Sequence, residues 1–195
     1  MLKIFNYFEF KEKGTTLVEI AVVIFIITMF SLIVINDFPK TLRQFAVSRS
    51  AYKLSQDIRR VEDLGLSGVK IAGQNDPYGG YGLYINKNEI DGDKQYKIYA
   101  DNSSATPNFE YNEGDYIVET ITISEQQAGV FIKEINGTAG SYDHISINFT
   151  PPNPKITITP SVAGEKSIDI VISSTFDSSL ERTVSINTSG LIEVK

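Results

Sequence analysis

The sequence predicts an α+β protein in which one long N-terminal helix, half transmembrane and half amphipathic, packs on antiparallel β-sheets. Two changes of pattern along the chain support this prediction. An uncharged apolar run at 20–35 is followed by apolar residues at helical spacing. From residue 65 onward, apolar residues alternate with a period of two, which is typical of strands. The chain of 195 residues therefore divides into a polar segment (1–14), a helix (15–64) and a β-rich globular domain (65–195).

The apolar run is long enough to cross a membrane. Leu17 and Val18 extend it, and Glu19 is its only interruption. About 20 helical residues at ~1.5 Å each cover roughly 30 Å, which is the thickness of a hydrocarbon core. The alternative is a buried helix of a soluble protein, which the absence of any polar face in the run disfavours. We predict that residues 15–36 span a membrane.

The flanks of this span constrain its processing but not its orientation. A secretory signal peptide has small residues after its apolar core, and no Ala-x-Ala-like site follows Ile35. Any cleavage therefore falls before the membrane segment. The positive-inside rule is nearly balanced, because basic residues lie on both sides: Lys3, Lys11 and Lys13 before the span, and Lys40, Arg43 and Arg49 after it.

Glu19 is the residue of the span that needs an explanation. A carboxylate near the end of an apolar helix costs about 2–3 kcal/mol, depending on its depth, so it should have a partner. If the chain is cut after Gly14, the new α-amine on Thr15 lies one helical turn from Glu19. Every neighbouring copy would carry the same amine, which gives a directional reason to polymerise. The alternative is a solvated Glu19 at headgroup level.

These residues resemble a known processing signal. The run Lys13-Gly14-Thr15-Thr16-Leu17-Val18-Glu19, followed by the apolar segment, resembles the class III leader of type IV pilins and type II secretion pseudopilins. The resemblance implies that a prepilin peptidase removes residues 1–14 as a leader, cuts between Gly14 and Thr15, and methylates Thr15. It also implies that Leu17, Val18 and Glu19 act in assembly. The chain departs from the family at Thr15, where Phe is usual, and at Pro39, which lies slightly late.

The same resemblance implies partners and a location. The partners are the prepilin peptidase, other pilins or pseudopilins in a filament, an inner-membrane assembly platform, and membrane lipid before assembly. The precursor would be a single-pass protein of the cytoplasmic (inner) membrane with its C-terminal domain extracytoplasmic, and it would later enter a pilus or pseudopilus. Two C-terminal stretches, 145–152 and 182–194, are similar to strands of the H-type (GspH/FimT-like) minor pseudopilins, although that group often has Gly-Arg at Gly190-Leu191. This similarity favours a minor subunit.

Residues 40–64 predict an amphipathic continuation of the helix. Their apolar residues recur at spacings of four and three, so they form one stripe that suits packing on a sheet: Val47, Ala51, Leu54, Ile58 and Val61. Gly65 suits a helix end. Either Asn36 or Asp37 caps a new helix with Pro39 in its first turn, or Pro39 kinks one continuous helix. The family resemblance favours the continuous helix.

The remainder of the chain predicts about nine short strands separated by turns rich in Gly, Asn, Asp and Pro. With no helix between them, these strands imply antiparallel sheets, one face of which the helix stripe covers. The predicted strands are 81–85, 95–99, 116–123, 130–135, 145–149, 155–159, 167–172, 183–187 and 191–194.

Composition argues against several classes of function. The net charge of the whole chain is −6, to which residues 15–195 contribute −7 and the leader contributes +1. An acidic body disfavours a broad nucleic-acid interface, which needs Lys and Arg to neutralise phosphates. The absence of cysteine excludes disulfides, thiolate metal sites and cysteine nucleophiles.

No local motif predicts catalysis, and we expect neither enzymatic activity nor a cofactor. His144 is the single histidine, and no nucleophile elbow, P-loop or dinucleotide fingerprint is present. Asp91 and Asp93, and separately Asp101-Asn102-Ser103, carry oxygen ligands that suit calcium, but they lack the EF-hand spacing and are better explained as hairpin turns. We therefore predict no metal site. The Tyr- and Gly-rich stretch 78–84 favours a loop entering a strand rather than an adhesive surface.

Two rival hypotheses remain open beside the filament subunit. The first is a single-pass, membrane-anchored extracytoplasmic binding module whose N-terminus stays uncut, which fits the balanced flanking charge and Thr15. The second is an anchored enzyme, which only scattered carboxylates support.

Overall fold

The computed structural model describes residues 14–70, 79–102, 108–123, 129–151, 155–160 and 165–195. It divides into two compact units between Thr41 and Leu42. One helix, α1 (Leu17–Ser67), precedes ten strands in this described part of the chain. The strands are β1 (Gly80–Asn86), β2 (Gln95–Asp101), β3 (Tyr116–Thr122), β4 (Val130–Gly137), β5 (Gly140–Ser141), β6 (His144–Thr150), β7 (Lys155–Thr159), β8 (Ser167–Ser174), β9 (Asp177–Asn187) and β10 (Ile192–Val194).

Helix α1 is one continuous element of 51 residues that includes Pro39. Of the two alternatives, the continuous helix is therefore confirmed. The helix ends three residues later than Leu64, because Gly68 rather than Gly65 adopts the left-handed conformation (φ 57°) that terminates helices. Gly65 lies inside the helix against strand β6, where an added Cβ would stand 2.6 Å from the carbonyl oxygen of Phe149. Its lack of a side chain permits this close approach.

The strands form two five-stranded sheets in which all pairs are antiparallel, as predicted. The first sheet has the order β3-β2-β1-β6-β7, and the second has the order β10-β9-β8-β4-β5. Strand pairing follows the alternation of the sequence, so Leu83 lies opposite both Ile98 and Ile147. A β-bulge between Ile132 and Glu134 interrupts the pairing of β4 with β8.

The core lies between the helix and the two sheets. The predicted stripe from Val47 to Val61 is almost completely buried and belongs to one cluster with inward residues of both sheets. Polar contacts fix the helix further. The Tyr96 hydroxyl donates to Asp57 at 2.5 Å, and Lys53 pairs with the same carboxylate at 3.2 Å. Burial and the hydrogen bond to Asp57 both raise the pKa of Tyr96, so it stays a neutral donor.

Tyr111 packs on the face of the first sheet that points away from the core. The ring of Tyr111 lies 4.6 Å from that of Tyr84 and 5.4 Å from that of Tyr99, and its backbone N–H donates to the Ser146 hydroxyl at 3.1 Å. Both Tyr81 and Tyr84 of the predicted Tyr/Gly stretch are buried, which supports a loop-to-strand role over an adhesive one. Tyr78 lies outside the described residues.

Candidate functional site: the exposed N-terminal helix

The helix starts with a local cap rather than at Thr15. Gly14, Thr15 and Thr16 are exposed and non-helical, and the Thr16 hydroxyl accepts a hydrogen bond from the Glu19 backbone N–H at 3.3 Å. This is the geometry of an N-cap, and Glu19 occupies the third helical position, where a carboxylate also interacts favourably with the helix dipole. Thr16 and Glu19 match the capping-box pattern, a signal that the prediction of a helix start at Thr15 missed.

Polar groups within the apolar half of the helix are satisfied internally. The Thr28 hydroxyl donates to the Ile24 carbonyl at 2.7 Å, and the Ser31 hydroxyl donates to the Ile27 carbonyl at 2.8 Å. Such bonds to the preceding turn leave no hydroxyl that requires water. The lateral surface of this half of the helix is therefore apolar, although it contains Thr28 and Ser31.

The apolar half is exposed along its whole length. Every large hydrophobic side chain from Leu17 to Ile35 is 50–84% exposed. By length and composition, α1 is able to cross a membrane. A surface of this size is far larger than the apolar patches of soluble monomers, so it requires lipid or protein around it.

The second half of the helix carries a further apolar surface that was not predicted from the sequence. Phe45 is 67% exposed and Tyr52 is 58% exposed. Phe45 precedes buried Val47 by two residues and Tyr52 precedes buried Leu54 by two, which is ~200° around a helix. Phe45 and Tyr52 therefore face away from the core. Periodicity reveals two apolar faces here, and only the fold distinguishes the covered face from the free one.

The metal candidates lie in turns with local partners. Asp91 pairs with Lys94 at 2.8 Å, and the Lys94 backbone N–H donates to the Asp91 carbonyl at 2.8 Å. The Asp93 carbonyl accepts the Ile132 N–H at 2.6 Å. The Asp91–Lys94 contacts stabilise the β1–β2 turn, and the Ile132 contact ties that turn to β4. Nowhere in the described ranges do three or more His, Asp or Glu side chains group as metal ligands.

The second acidic run also takes part in structure. Buried Asp101 accepts the Phe109 backbone N–H at 3.1 Å, and Asp115 accepts the Asn102 N–H at 3.1 Å and the Asn112 N–H at 2.8 Å. Burial, with a smaller contribution from nearby Asp101, raises the pKa of Asp115 against these hydrogen bonds. Ser103 lies outside the described residues.

His144 has an exposed acidic neighbour rather than an enclosed site. Its Nε2 lies 3.8 Å from the Glu110 Oε1, and both side chains are about two-fifths exposed. A catalytic triad requires a nucleophile and an acid next to the histidine. Among the described residues, Glu110 is the one charged partner observed for His144.

Comparisons with known proteins give two similar structures. No protein-family model matches the chain, and no curated protein matches it. Two crystal structures of the type IV minor pilin FimU from Pseudomonas aeruginosa are similar to it, with TM-scores of 0.42 and 0.41 and sequence identities of 13% and 15%. Each alignment covers 76% of this chain, and they cover 87% and 91% of the FimU chains.

Proposed function

We propose that the chain is a structural subunit, of the minor kind, of a type IV pilus or type II secretion pseudopilus. The observation that carries the proposal is an exposed apolar helix joined to a β-rich domain with a completed core. Such a helix needs two successive environments that both exclude water, a bilayer and then a filament core. The Gly14-to-Glu19 signal at its start supplies the processing that links them.

Cleavage between Gly14 and Thr15 fits the local conformation. Both residues are exposed and precede the cap at Thr16, so a prepilin peptidase would meet a non-helical segment. Cutting there leaves Thr16 and Glu19 in place as the helix start. The new amine on Thr15, which the peptidase would methylate, adds a positive charge at the positive end of the helix dipole. Glu19 of the same or a neighbouring subunit is the nearest compensating charge in the sequence.

Assembly then depends on specific contacts more than on burial of apolar surface. Moving an apolar helix from lipid to protein gains little hydrophobic energy, so packing by Leu17, Val18 and their neighbours and the pairing of Glu19 must supply the preference. The assembly platform and other pilins or pseudopilins would be the partners. Membrane lipid surrounds the helix before assembly.

Substituting Glu19→Val tests this role. We expect the variant to be cut normally but to enter filaments at least tenfold less, since a lost contact of about 1.4 kcal/mol or more changes an equilibrium tenfold. Thr28→Val is the matched control, because the Thr28 hydroxyl bonds its own helix and offers nothing to a neighbour. Sheared-filament fractions and whole-cell precursor processing are the readouts. Wild-type filament levels for Glu19→Val would contradict the pairing.

An anchored binding module with an uncut N-terminus is the second candidate. It is favoured by the cap at Thr16, which completes the helix start without any new amine. In that case the bilayer is the permanent environment of the apolar helix, and residues 1–14 persist in the mature protein.

A further inference from the structure

Charge is distributed unevenly along the chain. Between Asp37 and Asp57 the helix carries four cations and no carboxylate, namely Lys40, Arg43, Arg49 and Lys53. Residues 65–195 carry nine Lys and Arg against seventeen Asp and Glu. The cations are thus concentrated after the apolar span, where Asp37, three residues before Lys40, is the one carboxylate that precedes Asp57.

Three of these four cations have no anionic partner among the described residues. Lys53 pairs with Asp57 at 3.2 Å. The Arg43 guanidinium lies over the ring of Phe176, 5.1 Å from its centroid, in a contact that leaves its charge uncompensated. Within the described ranges, Lys40 and Arg49 are exposed and form no ion pair. Lys40, Arg43 and Arg49 are therefore available to an anionic partner, and we call them the cationic collar.

Apolar and aromatic side chains accompany the collar. Leu42 and Phe45, six and nine residues after the end of the span, are both more than half exposed. Aromatic residues and cations beside an apolar span are the composition of a membrane–water interface, where rings lie at headgroup level and cations contact phosphates. The acidic β-rich domain has the opposite charge and would be repelled by the same surface.

The length of the chain places the collar within reach of the headgroups. Lys40 and Arg43 follow the end of the predicted span at residue 36 by four and seven residues. At ~1.5 Å per residue they are roughly 6 and 10 Å beyond it. The headgroup region extends about 5–7 Å from the hydrocarbon, and the Debye length is about 10 Å at 0.1 M salt. Arg49 lies thirteen residues, or roughly 20 Å, beyond the span. It therefore contributes only at low ionic strength, where the Debye length reaches about 30 Å at 0.01 M salt.

We infer that the cationic collar of Lys40, Arg43 and Arg49 binds anionic phospholipid headgroups of the membrane that holds the unassembled chain. The inference rests on the proposed function, since it requires the apolar helix to lie in a bilayer. It also accounts for the balanced flanking charge. Cations on the extracytoplasmic side oppose the positive-inside rule, and lipid binding gives them a role there.

The test measures which lipids surround the full-length chain in phosphatidylcholine vesicles at low ionic strength. Spin-labelled phosphatidylglycerol or phosphatidylcholine reports, through its motionally restricted signal, the relative association constant of the two lipids. We expect phosphatidylglycerol to be preferred about fivefold or more, because one cation near an anionic surface contributes about 1 kcal/mol. The preference should approach unity in 1 M salt and in the variant Lys40→Gln/Arg43→Gln/Arg49→Gln.

A matched control removes the same charge elsewhere. Lys87→Gln/Lys155→Gln/Lys166→Gln neutralises three domain cations for which no ion pair is observed in the described ranges, and it should keep the wild-type preference. Equal association of both lipids with the wild-type chain, or an undiminished preference in the collar variant, would overturn the inference while leaving anchoring intact. If copies of the chain associate in a salt-sensitive way and neither lipid is preferred, the collar binds a second copy of the chain and the inference is overturned. Absence of any restricted signal would refute membrane anchoring, and this inference with it.

Discussion

At the scale of single residues, Glu165 shows how one carboxylate joins separate parts of the β-rich domain. It accepts hydrogen bonds from the Thr138 N–H and hydroxyl, both at 2.7 Å, from the Ala139 N–H at 3.3 Å and from the Tyr142 hydroxyl at 2.8 Å. Burial alone would raise its pKa, but these four bonds to the charged form outweigh burial and lower the pKa to about 2. The charged form therefore holds the β4–β5 turn against the residues that enter β8.

This arrangement predicts a pH dependence of stability. Because the folded pKa lies below the ordinary value near 4.5, the contribution of Glu165 is complete above that value and is lost as pH falls toward 2. We expect Glu165→Gln to lower the urea midpoint at pH 6 and to flatten the decline of the midpoint between about pH 5 and 2.5. Tyr142→Phe removes one of the four donors and should give a smaller effect of the same sign. Parallel pH profiles for wild type and Glu165→Gln would contradict the assignment.

At the scale of elements, the second half of α1 is positioned by contacts with both sheets. Arg60 pairs with Glu119 of β3 at 2.7 Å, and Arg59 donates to the Ile192 carbonyl of β10 at 3.3 Å. Gly65 meets the backbone of β6 at Phe149. Exposed ion pairs such as Arg60–Glu119 contribute at most about 1 kcal/mol, so the buried stripe and the close contact at Gly65 dominate.

Gly65→Ala tests that close contact, because helix propensity and packing predict opposite signs. Propensity alone would stabilise the helix by about 1 kcal/mol. The added Cβ would lie 2.6 Å from the Phe149 carbonyl oxygen, however, and a backbone atom cannot move aside cheaply. We expect a net loss of about 1–3 kcal/mol of unfolding free energy, as for other overpacked sites. Ser67→Ala, at an exposed position of the last turn, is the control and should change stability by less than about 0.5 kcal/mol. A stabilised Gly65→Ala would refute the close approach.

Several elements could be predicted from sequence because their patterns are strong. The buried stripe from Val47 to Val61 and the alternating strands were predicted correctly. The first half of β9 was missed, since Asp177–Arg182 is polar and resembles a loop, whereas pairing with β8 through Glu181 and Arg182 makes it a strand. Strand β5 has two residues and is too short to show the alternation of apolar and polar residues that predicts a strand. For the candidate site, the apolar composition predicts the span. The exposed face at Phe45 and Tyr52 could not be predicted, because it depends on which side of the helix the sheets cover.

At the scale of the whole molecule, the chain combines an apolar helix surface with a self-contained acidic domain. The domain buries its own inward residues in one core cluster, while the first half of α1 buries none of its large apolar side chains within the described residues. In water, the exposed apolar surface of the free chain would favour association with lipid or with other apolar surfaces. In the proposed function, lipid covers this surface first and neighbouring helices cover it later. In the proposed function, transfer from lipid to filament depends on the pairing of Glu19 with a new amine on Thr15.

The mass of the mature chain distinguishes a processed filament subunit from an uncut membrane anchor. The protein would be extracted from membranes of its native host and measured intact, alongside a Gly14→Val variant that blocks cleavage. We expect a chain that begins at Thr15, with or without one added methyl group, and a Gly14→Val variant that keeps residues 1–14. A wild-type chain that still begins at Met1 would contradict this expectation and leave a tethered β-rich binding module.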